Sequence, residues 1–262
     1  VERFEWPETP PPSWRFVGGA QALHDRLAAM LPEDAIRFEH RLTALRRADP
    51  GIWTTATTPD GGRTEEVEAI VLAVPPRLAV YTIRFRPPPP PDALEAMRAM
   101  PTWMSHIGKA AVTYERPFWR EAGLAGRATS DVGPVHDWHD AVTPDGHAAL
   151  VGFMHPPGTD SPTPPEPADR REALVRQLGH CFGDEAAAPT GIATCDWTQE
   201  VATTPPVGSL SDPSAPPDST PALREPLWND RLHLAAAETA TDHPGYLDGA
   251  VEAGRRAAVA LT

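Results

Sequence analysis

The sequence predicts a mixed α/β fold of the α+β kind, on three observations. Segments with strand character alternate with segments of helical apolar spacing along the whole chain. A Pro-Asp-Gly-Gly turn at 59–62 sits between two strand-like runs, which is a hairpin signal. The run AIVLAV at 69–74 is continuously apolar, as expected of a strand covered on both faces.

Residues 17–31 read as a Gly-Gly turn running into an amphipathic helix, with Ala22, Leu23, Leu27 and Leu31 at helical spacing. Strands follow at 36–45, 52–58 and 64–74, the last stopped by Pro75-Pro76. A helix is expected over 91–100 and a strand over 105–114. A compact Pro-Phe-Trp turn at 117–119 comes next, then strands near 125–129 and 148–154. Residues 169–182 place Leu174, Leu178 and Phe182 on one helical face, and 192–197 read as a strand. The segment 202–227 is rich in Pro, Ser, Thr and Asp and reads as a loop. A buried strand at 231–236 and a small-residue helix at 246–261 close the chain. That helix offers Ala250, Val251, Gly254, Ala257, Ala258 and Leu261 as its packing face.

Composition narrows the function classes. The chain has 262 residues, 33 of them proline, clustered at 7–12, 87–91, 156–167 and 205–221. That usage is more than twice the usual share of about 5%, and its clustering marks rigid connectors between folded segments. A formal net charge of −13 argues against nucleic acid or an anionic membrane surface as partner, and is compatible with attracting protonated amines. No apolar run approaches the ~20 residues that span a bilayer, and the N-terminus is not a signal peptide. It lacks an initiator Met, consistent with a fragment or a processed chain. Cys181 and Cys195 form no CxxC or zinc-ligand spacing, fit a reducing cytoplasm, and read as small core hydrophobes. His136-Asp137-Trp138-His139 has HxxH spacing without a third ligand, so it reads as a polar loop and no metal site is expected. No GxSxG elbow occurs.

The chemistry concentrates in RLHLAAAETATDHPGYLDGAVEAG at 231–254. An apolar strand enters a loop carrying Glu238, Thr239 and Thr241, passes Gly245 and starts a helix at Tyr246-Leu247. A helix N-terminus presents unsatisfied N–H groups and a positive dipole end, which suits an electron-rich or anionic group. An ordinary strand–turn–helix with a solvated loop satisfies the same pattern. Lys109, in the run HIGKAAVTY, would be costly to bury unpaired, and burial would lower its pKa and fit it to hold a water. A solvated strand lysine is the competing reading.

Glu238-Thr239-Ala240-Thr241 followed by Gly245-Tyr246-Leu247-Asp248-Gly249-Ala250 resembles the C-terminal flavin-contacting motif of the monoamine oxidase and polyamine oxidase family. RFVGGAQAL (15–23), HRLTALRR (40–47), EAIVLAVPP (68–76), GKAAVTYERPFWREAGLAG (108–126), LVGFM (150–154) and DWTQE (196–200) are similar to other family segments in the same order. The resemblance implies an incomplete FAD-binding domain interleaved with a mixed-sheet substrate-binding domain. On that division, 1–83 and 228–262 lie on the FAD side and 84–227 forms the substrate side. It further implies that Glu238 and Thr239 run along the ribityl–phosphate part of FAD, with Gly245 in the same loop. The Leu247 backbone meets the flavin carbonyls, Leu42 meets the adenine, Trp197 lines the flavin, and Tyr246 is one aromatic wall of the substrate site. Lys109 takes the position of the family lysine that holds a water near flavin N5. The implied reaction is hydride transfer from an amine carbon to flavin, with reoxidation by O₂.

Three departures qualify this. No GxGxxG fingerprint occurs, so a nucleotide-binding unit would come from an N-terminal segment or a partner chain carrying it. Ala236-Ala237 stands where the family has Gly-Thr, adding a methyl near the cofactor. Pro206 and Val207 stand near the family's Gly-Gly-Cys-Tyr turn, so FAD is expected to be non-covalent and a second aromatic wall must come from elsewhere. A non-catalytic relic kept as a binding or interaction module is the alternative.

Overall fold

The computed structural model describes residues 14–154, 167–206, 217–218 and 220–262. The proline-rich stretches at 7–12 and 156–166, and residues 207–216 of the expected 202–227 loop, lie outside them.

Three sheets organise the described residues. β1 (Arg41–Arg47), β2 (Ile52–Thr58) and β3 (Gly61–Val67) form an antiparallel meander, and β5 (Arg84–Arg86) joins β1 in parallel. Gly61 turns the hairpin at φ +114°, a value that L side chains rarely adopt, and the Thr58 hydroxyl donates to its carbonyl at 2.9 Å. β4 (Ile70–Leu72) pairs in parallel with β11 (Leu232–Leu234). The third sheet runs in the order β10 (Gly191–Asp196), β6 (Gly108–Tyr114), β9 (Ala148–Met154), β8 (Val135–Asp140), β7 (Ala128–Thr129), all antiparallel. The helices are α1 (Gln21–Ala28), α2 (Pro76–Thr82), α3 (Pro91–Ala99), α4 (Phe118–Glu121), α5 (Pro167–Phe182) and α6 (Leu247–Ala260).

The expected strand over 64–74 is two strands in two sheets. Residues 63–67 stay in the meander as the end of β3, whereas Ile70 onward leaves for β11. The expectation that this run is covered on both faces is corrected by Val71, which is 38% exposed. The Ile70 N–H donates to the Arg231 carbonyl and the Leu72 carbonyl accepts from Ala235, so residues 70 and 72 point their polar groups at β11. Alternation then aims the Val71 amide and carbonyl at the opposite edge, which has no strand among the described residues.

Pro75-Pro76 does more than stop a strand. Pro76 takes the first position of α2, where its missing N–H costs nothing. HDWH is no loop, because it lies in β8 with Trp138 fully buried. A register shift between Val135 and Trp138 breaks the period-2 pattern and hides the strand from a sequence reading. Cys195 is exposed rather than a core hydrophobe, and Cys181 is half-buried with its thiol pushed up by burial.

One core fills the space between the five-stranded sheet, α4 and α5, with Val112, Trp119, Trp138, Leu150, Leu174 and Leu178 fully buried. The Gln177 side chain on α5 accepts from the Val135 N–H and donates to the Val132 and Val135 carbonyls, clamping that helix to β8. A second core joins Leu45, Ile52, Leu72, Met97, Leu223 and Leu232. It draws on residues from both sides of the 83/84 division and from both sides of 227/228. A third, small cluster packs Ala253 and Ala257 of α6 on Ala235.

Two helices depart from expectation. α1 buries no residue, and Leu27 and Leu31 are exposed. In α6 the buried positions are Gly249, Ala253 and Ala257, whereas Val251 and Leu261 of the expected packing face are exposed. Small residues on several sides of this helix leave the apolar pattern without a unique direction.

Asp140 ties the end of β8 to α4. Its carboxylate accepts from Trp119 Nε1 at 2.8 Å, from Arg120 at 2.6 and 2.8 Å, and from the Val142 N–H at 2.9 Å. Burial alone would raise this carboxyl, but the Arg120, Trp119 and Val142 bonds outweigh it and hold it below the usual range. The resulting stability is present above the unfolded-state value and lost as pH falls through the lowered folded one. Asp140→Ala leaves the buried indole N–H unpaired and is expected to cost about 1–3 kcal/mol at neutral pH by urea denaturation. The deficit relative to the parent should shrink on acidification.

Candidate functional site

The strand–loop–helix that ends the chain is held by its own side chains. β11 leads into a 3-10 turn at Ala237–Thr239, and α6 starts after Tyr246. Thr239 is fully buried; its hydroxyl donates to the Ala236 carbonyl at 2.8 Å and accepts from Arg256 at 2.8 Å. The Arg256 guanidinium also donates to the carbonyls of Thr239 at 3.0 Å and Leu234 at 2.8 Å. Glu252, one turn earlier on α6, accepts the backbone N–H groups of Thr241 and Asp242 at 2.9 Å. Ala236 sits at φ −72° and ψ 157°, a conformation open to any residue, so the methyl in place of glycine brings no backbone strain.

Glu238 is buried, and burial pushes its carboxyl above the usual range against a hydrogen bond from its own backbone N–H. Gly245 has φ +84°, and a Cβ there would lie 3.2 Å from Trp103. Tyr246 is partly exposed and meets Trp103 at 4.6 Å between ring centroids. Trp103 escaped the sequence reading. The aromatic in PTWMSHIGK, just before β6, was its only signal. It joins the C-terminal loop to the segment that feeds the strand of Lys109.

Lys109 lies on the open face of the five-stranded sheet. Strand alternation turns Ala110 and Val112 into the core and Lys109 outward, exposed, between Cys195 on β10 and Phe153 on β9. Its ammonium stands 5.4 Å from the Phe153 ring centroid. The apolar letters around Lys109 thus belong to the other face of the strand, so burial does not act on it in this fold. Trp197 follows β10, is 38% exposed, and donates its backbone N–H to the Ile107 carbonyl at 3.2 Å. Lys109 and Trp197 therefore sit at one end of a strand pair. Leu42 is remote in topology: it is half-buried on β1 beside a bulge and packs against the second core.

The start of α6 carries the groups that bear on a flavin. Tyr246 at its N-cap provides no capping side chain, so the first-turn N–H groups at Leu247, Asp248 and Gly249 are uncapped by it. The Asp248 carboxylate is turned to His243 at 2.9 Å and raises that imidazole's pKa. These donors suit the electron-rich carbonyl edge of a flavin, and the buried Glu238 carboxyl suits a hydroxyl donor. Among the described residues no group of three or more metal-ligating side chains occurs. No helix among them is long and apolar enough to cross a membrane.

Gly249 sets the approach of α6 to this loop, since an added Cβ would lie 2.4 Å from the His243 carbonyl and 3.0 Å from Ala240 Cβ. Gly249→Ala is expected to destabilise by about 1–3 kcal/mol in thermal or urea unfolding, with faster amide exchange over residues 240–245. Gly254→Ala, where nothing lies within 4 Å, is the matched control and should be neutral or mildly stabilising.

Comparison with known proteins agrees with this architecture. Residues 8–262 match the family of flavin containing amine oxidoreductases. A Mycobacterium tuberculosis protein named as a flavin-containing monoamine oxidase is 36% identical over 251 residues, covering 93% of this chain and 51% of its own. An L-amino acid dehydrogenase of Synechocystis is 30% identical over 93% of this chain and 50% of its own. The structure of cyclohexylamine oxidase from Brevibacterium oxydans superposes with a TM-score of 0.74 at 28% identity, covering 93% of this chain and 52% of that one. The chain thus spans about half the length of the relatives it matches. With the family matched across residues 8–262 and shared identity above one third, the chain belongs to the flavin containing amine oxidoreductase family.

Proposed function

We propose that these 262 residues form the substrate side and the C-terminal cofactor side of an FAD-dependent amine oxidase, with the GxGxxG unit supplied by residues outside them. The observation that carries the reading is the braced loop at 237–245 opening onto the uncapped N-terminus of α6. The unpaired edge of β4 and the exposed apolar sides of α1 and α6 support it. They are surfaces on which a nucleotide-binding strand–helix unit would bury apolar area. The names of its relatives, an amine oxidase and an amino acid dehydrogenase among them, support an amine as the substrate class.

In this reading Leu247 and its neighbours in the first turn hold the flavin carbonyl edge, and Glu238 and Gly245 border the ribityl–phosphate part. Thr239 contributes by shaping the loop, because its hydroxyl is spent inward. Leu42 meets the adenine, Trp197 lines the flavin non-covalently, and Tyr246, backed by Trp103, is an aromatic wall for the amine. When bound, FAD would supply the hydride acceptor, with O₂ as the terminal oxidant. Lys109 Nζ holds a water by hydrogen bond, steadied over Phe153. The net charge of −13 draws protonated amines toward the protein in a cytoplasmic setting.

The test assembles this chain with the nucleotide-binding part of a relative and reads flavin absorbance on the purified complex. Co-purifying flavin reduced by an amine supports the proposal. A well-folded assembly without flavin removes it and leaves the non-catalytic binding role. In the flavin-loaded form, Lys109→Met should retain FAD and slow anaerobic reduction by amine about 10²-fold or more. An unchanged reductive rate would remove the role given to this lysine.

A further inference from the structure

The loop at 237–245 contains few bonds of its own. Thr239 and Ala240 donate within the 3-10 turn, and Gly245 donates to the Ala237 carbonyl at 3.2 Å. Between those points the backbone N–H groups of Thr241 and Asp242 donate to Glu252 on α6. The Leu234 carbonyl at the end of β11 and the Thr239 carbonyl in the loop both accept from Arg256. These two side chains lie four residues apart, on one side of a helix that buries only Gly249, Ala253 and Ala257 against the fold. Their opposite charges attract, while the hydrogen bonds of each go to the loop and the strand end.

We propose that Glu252 and Arg256 are a positioning pair for cofactor binding: together they hold residues 239–242 in the backbone course that sets Glu238, Gly245 and the start of α6 for the cofactor. This rests on the proposed FAD reading and deepens it, since neither residue is assigned a contact with cofactor or amine. The division of labour is chemical. Arg256 closes carbonyls that would otherwise be left at the strand end, and a guanidinium spans three acceptors in a way that a lysine ammonium does not match. Glu252 fixes amides, and only an unprotonated carboxylate accepts both at full strength.

Charged groups around Glu252 are Arg256, Arg255 and Asp248 on its own helix and Asp242 and His243 on the loop. The backbone N–H bonds from Thr241 and then Asp242 hold the Glu252 carboxyl below its ordinary range. The brace is therefore complete above that ordinary range and is lost as pH falls through Glu252's own lowered value.

The test uses two measurements. Amide exchange is followed on this chain at Thr241 and Asp242, with amides of β6 and β9 as reference, for the parent, Glu252→Gln and Arg256→Lys. FAD affinity is then measured on the assembled protein. Glu252→Gln should lower protection at the two amides about tenfold without moving the reference strands, and should remove the loss of protection on acidification that is expected of the parent. Arg256→Lys should preserve the fold by circular dichroism, and both variants should weaken FAD about tenfold. Unchanged exchange at Thr241 and Asp242, or faster exchange with parental FAD affinity, overturns the proposal. A parent assembly that takes up no flavin instead ends the functional reading itself, with the exchange arm already showing whether the brace exists.

Discussion

Arg256 is the point through which the C-terminal strand, loop and helix become one object. Its guanidinium, half-buried on α6, donates to the end of β11 at Leu234 and to both the carbonyl and hydroxyl of Thr239. Burial depresses its pKa, an effect that the nearby Glu252 carboxylate opposes. These three bonds, together with the Thr241 and Asp242 N–H groups that donate to Glu252, substitute for the apolar packing that α6 lacks, because its buried face is only a glycine and two alanines. A contact made of methyl groups contributes little by area, so the polar brace carries the orientation of the helix. The same small residues let α6 approach close enough for the brace to form, as Gly249 beside the His243 carbonyl shows.

Most of the fold was legible in the sequence, and its failures share a cause. Segments whose environment matches one simple period were read correctly: Leu174, Leu178 and Phe182 on α5, the hairpin at 59–62, and β9. Segments whose period is interrupted were not. The bulge in β8 displaced Trp138 from the alternation, and the change of sheet between Val67 and Ile70 passed unseen because no residue there breaks a strand. α6 failed for the opposite reason, since alanine and glycine on nearly every side erase the contrast that a helical stripe requires.

The site was legible in order but not in environment. Glu238, Thr239, Gly245, Tyr246 and Leu247 fall on the loop and helix start where the motif puts them. What each side chain does there depends on partners distant in sequence. Thr239 faces inward because Arg256 lies 17 positions ahead, and Tyr246 is backed by a tryptophan that precedes it by more than a hundred residues. Lys109 was read as a lysine among apolar neighbours, which is true along the chain and false across it. In a strand, adjacent residues occupy opposite faces, and its real neighbours are Cys195 and Phe153.

The exposure of Lys109 and the openness of α6 therefore have one physical explanation in the proposed holoprotein. Within these residues the sheet face carrying Lys109, the first turn of α6 and the edge of β4 are all in contact with solvent. An isoalloxazine laid against the helix start would exclude water from the donors it meets. Electrostatic interactions strengthen as water leaves, so the uncapped N–H groups would act most strongly when the flavin ring and further chain have closed around them. The same closure would exclude bulk water from around Lys109, whose ammonium lies beside the Phe153 ring, and would confine the water that it holds. The sheet sets the direction of Lys109 through strand alternation, and its further surroundings in that assembly would come from the cofactor and the additional chain.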